Sequence, residues 1–293
     1  MLNLVQLKVL AAVARHGSVT EAARELHYSQ PSVSHHLARL EAATGARLVQ
    51  RAGRGIRLTP EGHLLAGRAA EIVGRVDAAA EELAAQAGLR AGRVRLAANA
   101  SALSTLVPKA AASLARAHPG LELSLFDRHP VEALDMLRRG ELDVALVFRH
   151  AGAPPEEDGF RFRHLADDPI HLISRRPGDS LADHRGSAWI GGCDRCREEL
   201  AAVCAGAGFT PRFGSSSDDM VVVQSLVAAG LGVAILPGLA LEAHRRPGIH
   251  ATELPGVHRG IHAATYGDPP DPPAAAAVLA ALAQAAAPTR RGP

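Results

Sequence analysis

Apolar residues recur at helical spacing in three stretches of the first 45 residues, and polar residues separate these stretches. The first stretch covers residues 3–15 and stops at Gly17, a residue type that commonly ends helices. Ser18 and Glu21 follow with the spacing of a capping box, in which each side chain bonds the backbone amide of the other residue. The pattern therefore predicts two helices, the second of them short, joined by a tight turn.

A third helix and a small hairpin complete this N-terminal pattern. Ser29 can cap the third helix, Pro31 is tolerated in its first turn, and Gly45 ends it. Two short strands are predicted at residues 47–50 and 56–58, with a glycine-containing turn between them. The segment is thus predicted to contain two helices joined by a turn, followed by a β-hairpin wing.

The longest predicted helix begins at Thr59 and Pro60 and runs to about residue 87 without an internal proline. Its apolar residues step alternately by four and three positions, which is the spacing of a heptad seam. The seam residues are Leu65, Ala69, Ile72, Val76, Ala79 and Leu83. A long helix with one narrow apolar seam needs a partner, so we expect residues 60–88 to hold a homodimer. Packing of the seam against its own domain is the alternative.

Strands and helices alternate from residue 93 onward, which predicts an α/β domain with parallel sheets and helical crossovers. A linker at residues 88–92 precedes this domain, and a stretch rich in Pro, Gly and acids at 152–159 divides it. We expect subdomain I at residues 92–163 and 266–293, and subdomain II at residues 164–265. The predicted strands are residues 93–98, 121–126, 144–148, 170–174, 188–190, 233–236 and 261–266; the predicted helices are residues 103–118, 131–139, 195–206, 219–229 and 273–286.

The charge of the chain is unevenly distributed. Residues 1–58 contain eight Lys and Arg against three acids, a net charge of +5, whereas the remaining residues sum to −3. A basic head on an acidic body favours a polyanion such as double-stranded DNA as partner. The chain has three cysteines, no apolar run long enough to span a bilayer, and an amphipathic pattern directly after Met1. We therefore expect a cytoplasmic protein without a disulfide framework and without a membrane partner.

The third predicted helix presents a polar face that can enter the major groove of DNA. Residues near the N-terminus of such a helix contact bases, and flanking cationic side chains contact phosphates. Gln30 suits the edge of an adenine, and the arginines of the hairpin suit phosphates or the minor groove. The predicted DNA-contacting residues are Ser29, Gln30, Pro31, Ser32, Ser34, His35, Arg39, Arg51, Arg54 and Arg57.

The N-terminal part of the chain contains the strings SVTEAARELHYSQPSVSHHLARLE and LEAATGARLVQRAGRGIRLTPEG. These two strings resemble the N-terminal domain of LysR-type transcriptional regulators. Four later strings resemble landmarks of that family's effector domain, namely HPGLELSL, LRRGELDVALV, AGFTPRF and LVAAGLGVAILPGLAL. The resemblance therefore covers most of the chain. It implies a winged helix-turn-helix at residues 1–59, a linker helix, and a periplasmic-binding-protein-like effector domain at 92–293, commonly assembled as a homotetramer. It also implies an activator or repressor that binds a dyad-symmetric promoter site, with RNA polymerase as a candidate partner.

Position 35 departs from the family pattern that the resemblance implies. The family usually has arginine there, whereas this chain has His35. A largely neutral imidazole gives up a fixed positive charge. The family's rules for base contacts therefore do not transfer directly to this position.

The effector site is expected between the two subdomains, at the C-terminal ends of strands. Arg128 or Arg149 can hold a carboxylate there; the alternative is that each is a surface or salt-bridge residue. Helix N-termini near Ser101 and Asp219 add positive potential, so we expect a small, anionic organic molecule. The resemblance places Ser101 and the segments around Arg128 and Ser216 in the family's pocket. The predicted effector-binding residues are Ala100, Ser101, Arg128, His129, Phe148, Arg149, Ser215 and Ser216.

Cys193 and Cys196 form a CxxC motif at a predicted helix start, where thiolates are stabilised. A redox-responsive regulator that switches through this pair is an alternative to effector control, and two small residues without such a role are another. Zinc would need more ligands, so we predict no metal and no other cofactor. The chain contains no phosphate-binding P-loop, GxSxG or HExxH motif, and we expect no enzyme. A solute-binding protein is a remote alternative, disfavoured by the basic N-terminal segment.

Overall fold

The computed structural model describes residues 2–52, 55–86, 92–150 and 159–287. The chain divides into two compact units, residues 1–92 with 135–143 and residues 93–134 with 144–293. Among the described residues, no helix combines the length and apolar character that crossing a membrane requires. Of the two predicted linkers, only Gly92 and Gly159 fall within the described ranges.

The first unit contains three short helices, a hairpin and one long helix, as the hydrophobic pattern predicts. Asn3, Ser18 and Ser29 each accept a bond from a backbone amide at the start of their helix. Only half of the predicted capping box is present, because the Glu21 carboxylate accepts from Arg24. The elements are α1 (Leu4–His16), α2 (Val19–Glu25), α3 (Gln30–Thr44), β1 (Val49–Ala52), β2 (Gly55–Leu58) and α4 (Pro60–Gln86).

The predicted seam of α4 divides into two parts. Ala69 is fully buried in the core that α4 shares with α1, and Leu65 packs against the same core. Ile72, Val76 and Leu83 are 41%, 42% and 70% exposed. The first two seam positions therefore serve the unit's own core, because the apolar face of α1 needs a neighbour, and only the later positions leave apolar side chains uncovered.

Glu41 joins the end of α3 to the wing. Its Oε1 accepts hydrogen bonds from the backbone amides of Leu48 at 2.7 Å and Val49 at 3.2 Å. The start of α4 packs on the same segment, since a Cβ added at Gly62 would lie 2.0 Å from the Leu48 carbonyl oxygen. The Glu41 carboxylate thus holds the wing to the end of α3, and Gly62 allows the start of α4 to approach Leu48 closely.

Replacing Glu41 by Ala should destabilise the first unit by about 1–3 kcal/mol, because two amides lose their acceptor. Thermal unfolding of the full chain, followed by circular dichroism, measures this. Glu21→Ala is the matched control, since it removes an exposed carboxylate of α2 and should change stability by less than about 0.5 kcal/mol. Equal effects of the two substitutions would contradict the role of Glu41.

The second unit is a mixed α/β domain. A 3-10 turn at Leu181–His184 precedes its small sheet. Its elements, with α7 counted here although residues 135–143 are assigned to the first unit, are β3 (Arg93–Ala98), α5 (Ala100–Leu103), α6 (Leu106–Ala117), β4 (Glu122–Asp127), α7 (Pro130–Arg138), β5 (Val144–His150), β6 (Phe160–Ser174), β7 (Ala188–Gly191), α8 (Asp194–Gly206), β8 (Arg212–Ser216), α9 (Met220–Ala228), β9 (Ala234–Pro237), α10 (Gly238–Ala243), β10 (His250–Tyr266) and α11 (Pro273–Ala286).

The strand order of the large sheet is β4-β3-β5-β10-β6-β9, and β7 pairs with β8 in a second sheet. The prediction of parallel sheets is right for β3, β4 and β5 and for β7 with β8, but wrong for the rest. β10 runs antiparallel to β5 and β6, and β6 runs antiparallel to β9. β6 and β10 contain 15 and 17 residues, far more than predicted, because polar residues interrupt their apolar pattern while the backbones remain paired.

The hydrophobic pattern predicts one helix over residues 103–118, whereas the structure has two helices there, α5 and α6. Ser104 and Thr105 break it: each hydroxyl donates to a carbonyl oxygen of the preceding turn, that of Ala100 or Ser101. This break follows directly on the end of β3. The polar residues at the ends of β3, β4, β5, β7 and β8 then surround one cavity of the second unit.

Candidate functional sites

Helix α3 presents the polar face that the sequence predicts. Val33, Leu37 and Leu40 are buried in the first unit. The predicted DNA-contacting side chains lie on the opposite side of this helix and at its start, where Ser32 is half-buried and the others are exposed; they are Ser29, Gln30, Pro31, Ser32, Ser34, His35 and Arg39. Their contacts with DNA remain a prediction that rests on exposure, charge and position.

Two of these residues are already engaged at the start of α3. The Ser29 Oγ accepts from the Ser32 amide at 3.3 Å, and the two hydroxyl oxygens lie 2.8 Å apart. Ser29 thus caps the start of α3. The side-chain amide of Gln30 is therefore better suited than Ser29 to bond the edge of a base. Arg57 is exposed on β2, whereas the side chain of Arg51 and the whole of Arg54 lie outside the described residues.

The second unit contains a cavity of about 460 Å³. It lies at the C-terminal ends of β3, β4 and β5 and beside the first turns of α8 and α9, which is where ligands bind in α/β sheets. Its wall is largely apolar, with contributions from Phe148, Ile170, Ile190, Leu200 and Ile235. A volume of this size fits a small organic molecule.

The structure brings four of the eight predicted effector residues to this cavity, namely Ala100, Ser101, His129 and Phe148. The other four lie outside the lining. In β8, Ser215 pairs with β7, the Ser216 hydroxyl donates to the Gly192 carbonyl at 3.2 Å, and Ser217 lines the cavity instead.

The two arginines proposed as carboxylate ligands have other contacts. Arg128 donates to the Asp127 carbonyl oxygen at 2.7 Å and pairs with Glu132 at 2.9 Å. Arg149 stacks on the ring of Phe162 at 4.7 Å. Their environments match the surface and salt-bridge alternative more closely than a ligand-binding role.

Arg259 on β10 is the arginine that does line the cavity. It is 5% exposed, and its Nε and Nη2 lie 2.9 and 2.8 Å from Oδ2 of Asp168, which is 3% exposed. Its guanidinium also lies 4.6 Å from the centre of the Phe148 ring. The sequence pattern missed Arg259 because the predicted strand began at residue 261, so that this arginine fell in a loop instead of at an inward-facing strand position.

Ser101 joins Arg259 to the cavity wall. Its Oγ lies 2.8 Å from Nη2 of Arg259 and 2.8 Å from Nδ2 of Asn99, and both nitrogens donate to it. A hydroxyl that accepts two hydrogen bonds keeps its own proton to donate. Ser101 is therefore arranged to donate to an acceptor atom, such as a carboxylate oxygen, in the cavity.

Three of the four acidic residues of the wall have partners, and Asp218 is one of them, with its Oδ2 3.9 Å from Nε2 of His129. Oε2 of Glu199 lies 3.2 Å from Nδ1 of His150, and the Asp219 carboxylate accepts from the amides of Val221 and Val222 at the start of α9. The expectation that the helix start near Asp219 attracts an anion is therefore wrong, because Asp219 itself occupies those amides. Near Ser101, α5 has only four residues, so its macrodipole is small and adds little positive potential.

Cys193 and Cys196 lie at the start of α8, and Cys196 lines the cavity. Their Sγ atoms are 3.0 Å apart and both cysteines are free thiols. A hydrogen bond from the Cys196 thiol lowers the pKa of Cys193 to about 6, against the effect of partial burial, and the Cys196 amide contributes further. Hydrogen bonding to that thiolate, together with burial, raises the pKa of Cys196. Burial raises the pKa of Cys204 to about 11.

Metal binding has no support in the part of the chain that the structure describes. No group of three or more His, Cys, Asp or Glu side chains there is placed to hold an ion.

Comparisons with known proteins match both units. A family model described as the LysR substrate binding domain matches residues 87–287, and one described as a bacterial regulatory helix-turn-helix protein of the lysR family matches residues 4–63. The chain is 33% identical to the RuBisCO operon transcriptional regulator of Acidithiobacillus ferrooxidans over 59% of its own length and 54% of that protein. It is 29% identical to the HTH-type transcriptional regulator YusT of Bacillus subtilis, over 83% of this chain and 81% of that protein.

Solved structures show the same fold. The structure of full-length CbnR in complex with its target DNA matches with a TM-score of 0.67 and 24% identity, over 97% of this chain and 100% of that chain. The match spans the helix-turn-helix, the long helix and the mixed α/β domain.

Proposed function

The chain belongs to the LysR family of DNA-binding transcriptional regulators with an effector domain, and from this premise we propose that a small organic acid bound in the cavity controls its occupancy of a dyad-symmetric promoter site. The observation that carries the proposal is the buried Arg259 beside Ser101 in a largely apolar cavity of about 460 Å³. A cation and a hydroxyl donor at one end suit a carboxylate, and the apolar wall suits a carbon skeleton.

The ligand controls DNA binding only if it binds one conformation of the second unit better than another. The cavity wall includes residues of α5 and β5, of α8 and α9, and of the long strand β10, so ligand contacts reach several elements at once. A ligand that bridges these elements favours the arrangement in which they lie closest together. This differential affinity is the physical basis of the proposed response.

The proposal is tested by electrophoretic mobility shifts on the intergenic DNA beside the gene, with a panel of small organic acids. We expect binding to a dyad-symmetric duplex and a change in affinity of about tenfold with at least one acid, a typical coupling for a regulated site. Matched uncharged amides of the same acids are the control, since they lack the carboxylate. Binding that no acid alters would contradict effector control, and absence of DNA binding would contradict the whole proposal.

Two substitutions in the first unit should separate base reading from phosphate contact. Gln30→Ala should relax discrimination at one base pair by about 1–3 kcal/mol. Arg57→Ala should weaken all sequences alike and reduce the slope of log K against log salt concentration by about 1. Titrations of matched and mismatched duplexes at several salt concentrations measure both, and a sequence-independent effect of Gln30→Ala would count against its assigned role.

A second candidate is direct redox control through Cys193 and Cys196, and the 3.0 Å separation of their sulfurs favours it. A variant that carries both Cys193→Ser and Cys196→Ser decides between the candidates. Under effector control alone this variant keeps its response to an organic acid, whereas under direct redox control oxidation changes operator affinity in the wild type but not in the variant.

A further inference from the structure

One thiol of the CxxC motif, that of Cys196, lines the cavity, and the Cys193 thiol lies 3.0 Å from it. Gly192 and Cys196 both line it, and Cys193 lies between them in the chain, directly before the first turn of α8. Ser216 and Ser217 at the end of β8 hold this segment, because the Ser216 hydroxyl donates to the Gly192 carbonyl and the Ser217 amide donates to that of Gly191. A change in the thiol pair therefore acts on a fixed part of the cavity wall.

We propose that Cys193 and Cys196 are a redox-active dithiol whose oxidation by a hydroperoxide to a disulfide raises the affinity of the cavity for an organic anion. The inference rests on the proposed function, since it requires that the cavity binds such an anion. It differs from direct redox control in that the disulfide acts through ligand affinity and does not replace the ligand.

The geometry suits an internal disulfide. A disulfide bond is about 2.05 Å long, so the sulfurs need to approach by roughly 1 Å from their present 3.0 Å. The Cys193 thiolate attacks the terminal peroxide oxygen of ROOH, the O–O bond breaks, and the alkoxide takes a proton from solvent and leaves as ROH. The Cys196 sulfur then attacks the sulfenic acid at Cys193, the S–S bond forms, and water leaves with the remaining proton. The two thiols together lose two electrons, which reduce the peroxide.

The sign of the effect follows from the charges around the pair. The hydrogen bond from Cys196 lowers the pKa of Cys193 to about 6, which favours a thiolate in the reduced pair, and the charged groups that act on the two sulfurs are Asp218, His129 and Arg259. The disulfide is neutral, so oxidation removes one negative charge from beside a cavity that binds anions. At the separations and effective dielectric constants usual for partly solvated charges, removing one negative charge strengthens anion binding about fivefold. By reciprocity, a bound anion should shift the equilibrium between dithiol and disulfide toward the disulfide by the same factor.

The oxidation step has a reporter within the chain. Trp189, the only tryptophan, is fully buried on β7, the strand that leads to Cys193. Stoichiometric hydrogen peroxide should change Trp189 fluorescence and remove two hydrogens from the peptide that contains both cysteines, and dithiothreitol should reverse both changes. Cys204 is an internal control, because it is buried and should remain unmodified throughout. Absence of a disulfide between Cys193 and Cys196 would overturn the inference and leave anion binding untouched.

The coupling is tested with anilinonaphthalene sulfonate, an anionic fluorescent probe, titrated into the reduced and oxidised full chain. We expect oxidised protein to bind it about fivefold more tightly, and the Cys193→Ser, Cys196→Ser double variant to show one affinity before and after peroxide. Titration of the variant that carries both Arg259→Met and Asp168→Asn shows which part of the probe fluorescence comes from binding in the cavity. A disulfide that leaves probe affinity unchanged would refute the coupling alone. Protein that binds neither probe nor organic acid in either state would refute the proposed function and, with it, this inference.

Discussion

Replacing Arg259 by Met should cost about 3–5 kcal/mol of stability, because Asp168 would remain buried without its partner. Urea unfolding followed through Trp189 fluorescence measures this loss in the second unit. The variant that carries both Arg259→Met and Asp168→Asn should recover most of it, since an asparagine oxygen can still accept from the Leu239 amide, as Asp168 does at 2.9 Å. Equal instability of the single and double variants would contradict this account of the pair.

The stable double variant then tests the site itself. Without the cation, any organic acid that binds the wild-type protein should bind about 10–100-fold more weakly, the usual worth of a charged hydrogen bond. Isothermal titration of the same acid into both proteins measures the difference. Arg128→Met is the matched control, because Arg128 is half-exposed and pairs with Glu132 outside the cavity lining. A larger loss of affinity for the acid in Arg128→Met than in the double variant would show that the carboxylate binds at Arg128, one of the two arginines that the sequence suggested.

Glutamate at both Ile72 and Val76 should convert a dimer to monomers and abolish operator binding. Both side chains are about two-fifths exposed on α4, and Leu83 extends the same apolar stripe at 70% exposure. A partner helix that covers this stripe would bury charge after the substitution, at a cost of several kcal/mol. Light scattering and gel filtration measure the assembly state, and mobility shifts measure operator binding.

The control for this prediction is His63→Glu, which adds a carboxylate on the opposite side of the same helix at an exposed position. It should leave both assembly and operator binding intact. If dimers survive glutamates at Ile72 and Val76, another surface holds the subunits together and the stripe is an ordinary exposed face.

Local patterns predicted the first unit well. Ser18 and Ser29 cap their helices as expected, and the period of the apolar residues correctly separated the buried side of α3 from its polar side. These features depend on contacts between residues a few positions apart, so the sequence alone contains the necessary information. The seam of α4 includes two positions that pack in the unit's own core, and the dimer that its exposed positions would hold remains a prediction, because periodicity cannot distinguish an apolar position that faces α1 from one that faces another subunit.

The second unit shows where local patterns stop being sufficient. The alternation of strands and helices predicted the α/β class and the strand ends where the cavity lies. The letters alone contain the CxxC motif, whose second cysteine lines the cavity. Only the tertiary structure decided that β10 runs antiparallel to β5 and β6, and thereby that Arg259 meets Asp168, 91 residues away in the chain. Arg128, Arg149 and Arg259 are indistinguishable as letters. What separates them is desolvation: Arg259 is removed from water and held by a buried carboxylate and the Ser101 hydroxyl, and burial of that kind exists only once strands distant in sequence have paired.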